Sequence, residues 1–517
     1  MQQVLVEVQE IKQGSSPDKV AVGKDKNFLP YDQSQLYLMP PSLDEWVPDG
    51  HLARFVSDLV DDVLDLEQIY DAFEDARGAP ALDPKMMVKL LIYGYATGTP
   101  SSRKLEERTT SDVAVRFLCA NQHPHFTSIC RFRRIHLGAL AGIFFEALRL
   151  CHEAGLVKLG TIALDGTKVR ASASRHKAMS YKRMTAEEEK LKDKIGELLA
   201  EAEATDEQED RAYGADHSPC KLSEELRTKE GRLRKLREAK KALEQRSKQE
   251  AKTKGKPADS ANPKPSDQRN FTDPDSKIMK TSDKSFHQCY NGQAAVDSDS
   301  QVIVATDLTN QAADCPHLPE VLEDLERNLE LIDQDPPPTA TLVADAGYFS
   351  EQNVETCEDF GVDPFIATGK VKHTDRVPDV PRGRIPASAT VKERMARKLR
   401  TKRGRAVYAK RKTIVEPVFG QMQTTQKAKH VLLRGLPKAR GEWQFHCGVH
   451  NLLKLHRAGG FGVVSATATG RRQGTSAAGH ETTGVVTAVA GSTRGAIASS
   501  TRLSGYAAVR PSSSTRS

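Results

Sequence analysis

Apolar and polar positions change period several times along the chain. Residues 1–40 are polar with little periodicity and are expected to form a flexible lead-in. From Leu43 to about Gly155 the period is helical. Leu52, Phe55, Leu59, Val63 and Leu66 recur at steps of three and four, as do Met86, Leu90 and Tyr93. Asp83 followed by Pro84 marks a helix start. This stretch, residues 41–155, reads as a helical N-terminal domain. The pattern then shortens. Ile162-Ala163-Leu164 ends on Asp165 with Gly166 behind it, the form of a buried strand that delivers a carboxylate to the rim of a sheet. Thr341-Leu342-Val343-Ala344 ends on Asp345 in the same way.

Between these runs the helical period returns. Thr185 with Glu188 reads as a capping box, and Leu191, Ile195, Leu198 and Ala202 follow at helical steps. After a polar break, Leu222, Leu226, Leu233, Leu236 and Leu243 keep a near-heptad spacing, with Lys229 and Lys240 at seam positions. Residues 183–270 are therefore expected to be an inserted antiparallel coiled-coil hairpin and its linker. Further on, Gln293–Val296 and Val302–Ala305 flank a polar hairpin turn, Ser350 and Asn353 open a helix, and Asp363–Ala367 reads as a strand. Trp443, Phe445, His446, Val449, Leu452, Leu453 and Leu455 mark a last apolar helix. Beyond residue 458 the composition collapses to Gly, Ser, Thr, Ala and Arg, which predicts a disordered tail over 458–517. The order predicts an α/β fold: a mixed sheet flanked by helices, built from residues 156–182 and 271–457, behind an all-α N-terminal domain.

Bulk composition narrows the function classes. The net charge of +7 over 517 residues is modest, so its distribution carries the information. The eight cysteines form no C-x-x-C pair, which argues against a structural zinc site and for free thiols in a reducing compartment. No apolar run approaches a membrane span, and the start lacks the form of a signal peptide, so a cytoplasmic protein with no membrane partner is expected.

Charge is lopsided from Lys370 to Lys412, where Asp375, Asp379 and Glu393 are the only acids in a segment that includes Arg397, Lys398, Arg400, Lys402, Arg403 and Lys412. Such a run repels itself and points to a polyanionic partner. A second basic patch, Arg131, Arg133 and Arg134, follows a polar turn in residues 101–136. It reads either as the second helix of a helix-turn-helix or as a bundle helix with solvated arginines. Lys168 and Arg170, just past Asp165, suit a phosphate-bearing substrate or a local ion pair.

Asp165, Asp345 and Glu416, in the run Thr413-Ile414-Val415-Glu416-Pro417, form a candidate metal-binding trio. Hard divalent ions take carboxylate oxygens, and two such ions flanking a phosphodiester stabilise both attacking and leaving oxygens. Each acid alone fits a structural role; the case rests on the three together with the basic segment between the last two.

The stretches Asp165-Gly166-Thr167-Lys168, Tyr290-Asn291-Gly292-Gln293, Asp345-Ala346-Gly347-Tyr348 and Tyr408 to Gly420 resemble the bacterial insertion-sequence transposases of the DDE type, over roughly residues 35–456. The resemblance implies an RNase H-like core, dependence on Mg²⁺ or Mn²⁺ with two ions, and cutting and strand transfer at terminal inverted repeats. It also implies Asp165, Asp345 and Glu416 as the catalytic acids and Tyr408 and Arg411 as DNA contacts. The expected partner is DNA, met by a homodimer or larger assembly at the bacterial nucleoid. Related members carry a lysine seven residues after the glutamate, where this chain has Gln423; the nearest lysine is Lys427. A metal-dependent nuclease without strand transfer, and an inactive DNA-binding remnant of a mobile element, stay open as other readings.

Overall fold

The computed structural model describes residues 42–73, 81–174, 177–213, 224–253, 257, 261–334, 336–369 and 380–460. The expected lead-in, residues 370–379 of the basic segment and the expected tail beyond residue 460 lie outside these residues. The strands are β1 (Thr161–Arg170), β2 (Ala178–Ser180), β3 (Gln268–Asn270), β4 (Lys277–Lys280), β5 (Phe286–Asp297), β6 (Ile303–Thr309), β7 (Thr341–Ala344) and β8 (Asp363–Ile366).

β1 is the axis of a six-stranded mixed sheet. Along one edge it pairs antiparallel with β5, from Ile162↔Asp297 to Arg170↔Cys289. Along the other it pairs parallel with β7, which pairs parallel with β8. β6 and β4 share the far edge of β5, both antiparallel. β2 and β3 form a separate two-stranded ribbon. Ile162, Ala163 and Leu164 are all fully buried, because helices cover both faces and strand alternation sends neighbours to opposite sides. One expectation is corrected here. β1 does not end at Asp165 but runs on to Arg170, since β5 supplies ladder partners throughout. β7, however, stops at Ala344, opposite Leu164, so Asp165 is the first residue past the parallel pairing.

The N-terminal region is helical: α1 (Leu43–Trp46), α2 (Leu52–Asp58), α3 (Glu67–Tyr70), α4 (Pro84–Ala96), α5 (Ser102–Ser111), α6 (Val113–Leu118), α7 (Phe126–Ile135) and α8 (Leu137–Glu153). Asp83 caps α4 by accepting from the Lys85 N–H at 2.7 Å, with Pro84 in the first turn. The expected pair of helices around a polar turn is corrected to three, since α6 stands between α5 and α7.

α9 (Tyr181–Tyr213) and α10 (Glu224–Thr253) run antiparallel. Tyr181 donates to Glu244 at 2.7 Å, Arg232 pairs with Glu187 at 2.8 Å, and Met184 packs on Leu236, Ala239 and Leu243. The connection between them lies outside the described residues. Thr185 is not a cap: it sits inside α9 and its hydroxyl donates to the Tyr181 carbonyl, while Glu188 meets Lys192, Arg237 and Lys240.

The sheet is covered by α11 (Leu318–Leu331), α12 (Glu351–Asp359), α13 (Val391–Arg400), α14 (Lys402–Thr424) and α15 (Leu436–Arg457). One face packs Ile162, Leu164 and Leu342 against α11, which buries Leu318, Val321, Leu322, Leu325 and Leu329. The other packs Ala163, Val343 and Phe365 against Ile414, Val415, Val418, Phe419 and Met422 of α14 and Trp443 of α15. Each such aliphatic or aromatic side chain contributes about 1.5–3 kcal/mol when fully buried.

Pro417 lies inside α14, where it removes the N–H that would bond the Thr413 carbonyl. The helix continues because the Gln301 side-chain amide donates to that carbonyl at 3.1 Å. Gly98, after α4, has φ +70, and a Cβ there would overlap the Thr425 carbonyl oxygen just past α14. The helical region thus docks directly against the end of α14. No single helix among the described residues is long and apolar enough to cross a membrane.

Candidate active site

Asp165 and Asp345 follow Leu164 and Ala344, which are register partners on adjacent parallel strands. Alternation puts both side chains on the face that α14 covers, beside Ala163 and Val343. Backbone donors fix each carboxylate: Asp165 Oδ1 accepts from Gly166 N at 2.8 Å, and Asp345 Oδ1 from Gly347 N at 2.7 Å. α14 then brings Arg411, whose Nη1 donates to Asp165 Oδ2 at 2.7 Å, with Tyr408 one turn earlier.

The electrostatics describe a crowded acid pair with one counter-ion. Burial pushes the Asp165 carboxyl up, and Asp345 adds to that, while Arg411 and the Gly166 N–H oppose it. For Arg411, burial works against the charge but Asp165, Tyr408 and Asp345 together raise it above its ordinary value. Burial likewise raises the Tyr408 phenol, opposed by Arg411. Tyr348 is raised well above the usual range by burial and then by Asp314, Asp165 and Asp345.

Glu416 is exposed, and its carboxylate makes no hydrogen bond or ion pair with a described residue. It lies roughly 7.5 Å along the helix axis beyond Arg411 and roughly 10.5 Å before Gln423, at 1.5 Å per residue. Both flanking residues touch β1: Arg411 at Asp165, and Gln423 through a 2.8 Å bond from its amide to Thr167 Oγ1. Asp165, Asp345 and Glu416 do not close into a tight cluster. Among the described residues, Asp307, His317 and Glu320, on the β6–α11 side, form the one group of three His, Cys, Asp or Glu whose ligand atoms all lie within 4.8 Å.

The basic residues sort into two sets. Arg131, Arg134, Arg400, Lys402 and Lys412 are exposed, with no side-chain hydrogen bond or ion pair to a described residue. The others are engaged. The expectation that Arg133 meets DNA is corrected: it is 3% exposed, donates to the Pro100 carbonyl at 2.6 Å and lies over the Tyr95 ring. Lys168 pairs with Asp314 at 3.2 Å and Arg170 with Asp283 at 2.8 Å. Lys398 and Arg403 both pair with Asp363, and Arg397 bonds the Arg382 and Gly383 carbonyls. Arg411, expected as a DNA contact, pairs with Asp165 in this structure.

Sequence reasoning passed over Asp314. It sits between the two aspartate-bearing strand ends, on the connection from β6 to α11. A Cβ on Gly166 would meet its Oδ1 at 2.9 Å, and one on Gly347 its Oδ2 at 3.4 Å. The available signal was the pair of glycines behind the two aspartates, which mark the close approach of another group.

Comparison with family models gives two matches. A transposase domain matches residues 41–134, and a transposase DDE domain matches residues 260–452. The chain belongs to the insertion-sequence transposases of the DDE type. The second match contains Asp345, Glu416 and the basic segment of this transposase; Asp165 lies between the two matches. The family makes the chain a DNA-binding transposase that acts on DNA by phosphoryl transfer and uses divalent metal. Comparison with curated proteins and with solved structures returns no match.

Proposed function

We propose that this transposase cleaves strands at the terminal inverted repeats of its element and transfers the freed ends into target DNA, with Asp165, Asp345 and Glu416 as its catalytic acids. The observation that carries this reading is the pairing of β1 with β7. It sets Asp165 and Asp345 side by side at the end of a parallel ladder, under the helix that bears Glu416. The antiparallel β6-β5-β1 followed by the parallel β1-β7-β8 supports an RNase H-like core over residues 156–182 and 271–457. Residues 41–155 then serve DNA recognition and 183–270 form an inserted arm, and the enzyme acts as a homodimer or larger assembly.

The donor set fits hard cations. Burial first, and then the neighbouring Asp345, push the Asp165 carboxyl up, and the groups on offer are carboxylate oxygens. Asp165, Asp345 and Glu416 would hold one or two Mg²⁺ or Mn²⁺ ions, which supply charge neutralisation at the scissile phosphate and ease deprotonation of the attacking hydroxyl. The residues of the chain do the rest. The Gly166 and Gly347 N–H groups aim the two aspartates. Arg411 favours the ionised form of Asp165 against its burial. Arg131, Arg134, Arg400, Lys402 and Lys412 hold DNA phosphates and fix the register of the backbone. Water attacks in the first step and a 3′-hydroxyl in the second. Both are in-line displacements at phosphorus, so one set of acids serves both.

The test uses labelled DNA carrying the inverted repeats that flank the coding region, with intact or pre-cut ends. Cleavage and joining to a target plasmid should require Mg²⁺ or Mn²⁺ and fall at least about a thousandfold in Asp165→Asn, Asp345→Asn and Glu416→Gln. Cleavage without joining of pre-cut ends would identify a nuclease instead. Binding of the ends with neither reaction would identify a DNA-binding remnant.

A further inference from the structure

We infer that Asp314 is a further acid of this site and supplies a ligand oxygen to the divalent cation held beside Asp345. The inference rests on the reading of the site given above. Three donors converge on a single oxygen of Asp314. Oδ1 accepts from Asn291 Nδ2 at 2.6 Å, from Gln293 Nε2 at 3.0 Å and from Lys168 Nζ at 3.2 Å. The other oxygen, Oδ2, has no hydrogen-bond partner among the described residues and lies on the side of Gly347, whose N–H donates to Asp345. A carboxylate with one oxygen saturated by the protein and one left open is built like an oriented metal ligand.

The orienting groups are themselves oriented. Gln293 donates to Asp314 through its amide nitrogen and accepts from the fully buried Tyr348 hydroxyl through its amide oxygen, which fixes the direction of the amide. Asn291 is fully buried, and with its nitrogen turned to Asp314 its Oδ1 has no donor among the described residues. That orphaned oxygen lies 3.1 Å from the position a Cβ on Gly166 would take, so it opens toward the same gap. Gly166 leaves room for Asp314, Asn291 and Gln293 at once, and Gly292 between the two amides leaves room for the Trp443 ring, which a Cβ would meet at 2.7 Å. The run Tyr290-Asn291-Gly292-Gln293 thus acts as a clamp on Asp314. Lys168, expected from the sequence to hold a phosphate, is the counter-ion of that clamp.

The experiment is a Mn²⁺ titration of the DNA-free full-length protein, read by the electron paramagnetic resonance signal of free Mn²⁺. It compares wild type with Asp165→Asn, Asp345→Asn, Asp314→Asn and Gly166→Ala, each checked for an unchanged thermal midpoint. Asp314→Asn keeps an acceptor for the three donors. It should weaken Mn²⁺ binding about tenfold or more and move half-maximal strand cleavage to a correspondingly higher Mn²⁺ concentration. Gly166→Ala displaces Asp314 by contact and should weaken binding in the same direction, and this second variant keeps the test open should Asp314→Asn fail to fold. Glu326→Gln, exposed on α11, should leave that binding step unchanged. Loss of binding in Asp165→Asn and Asp345→Asn with an unaltered Asp314→Asn would overturn the role of Asp314 and leave the proposed site standing. A wild type that binds no Mn²⁺ would overturn both.

Discussion

Replacing Arg411 by Met keeps most of the aliphatic stem and removes the charge that faces Asp165. Both side chains are largely withdrawn from water, at 13% and 23% exposure, and their contact is 2.7 Å. A charge-assisted bond of this kind is worth about 1.5–3 kcal/mol net, and the partner left behind stays buried against Asp345. The expected loss is therefore about 2–3 kcal/mol at pH 7, read as the free energy of urea unfolding. The sign with pH follows from Asp165. Its carboxyl is already raised by burial, and losing Arg411 raises it further. A raised carboxyl costs the folded state nothing below its unfolded value of about 3.9, and the cost grows as pH rises through the folded value. The deficit of the variant should be small near pH 4 and larger at pH 7. An equal deficit at both pH values would mean that packing, not charge, holds Arg411. A deficit under about 0.5 kcal/mol at pH 7 would put the pair among weak surface contacts and refute the reasoning. The Asp165→Asn/Arg411→Met cycle should return a coupling of the same size.

Further outcomes follow from groups that the chemistry does not use. Glu442, 1% exposed, accepts from the Tyr95 hydroxyl at 3.0 Å and from the Leu432 and Leu433 N–H groups at 2.9 Å each. Glu442→Ala should cost about 3 kcal/mol or more in urea unfolding, and Glu442→Gln less than half of that. Burial lowers His446 to about 3 and His450 to about 4. Their unfolded forms take up a proton near pH 6.5, so stability should fall as pH drops below that, by about 1.4 kcal/mol per pH unit for each histidine. His446→Leu should make the acid limb of a stability–pH curve shallower by one such contribution; an unchanged limb would contradict this. Gly98→Ala places a side chain at φ +70 against the Thr425 carbonyl and should lower stability by about 2 kcal/mol or more, measured by thermal unfolding.

The reading of α9 shows where local pattern misleads. Thr185 and Glu188 have the spacing of a cap, but Tyr181 pairs with Glu244 on α10 and the helix starts a turn earlier. Arg133 reads as a basic residue for DNA, yet it is spent on Pro100 and Tyr95. Pro417 removes a helix N–H, yet α14 passes through it with Gln301, distant in the chain, serving the vacated carbonyl. In each case the deciding partner lies far along the chain, where periodicity carries no information.

The sequence by itself determined the succession of a helical region and a later mix of strands and helices, because amphipathic period and turn residues are local properties. It also determined that Asp165 and Asp345 stand at comparable points of two buried runs, which the register Leu164↔Ala344 bears out as geometry. Only the tertiary structure decided that β1 continues past Asp165, that Arg411 turns inward to that carboxylate, and that Asp314 enters between two glycines. These are long-range matters of ladder pairing, burial and charge balance. They take physical form only when β1, β5, β7 and α14 are brought together.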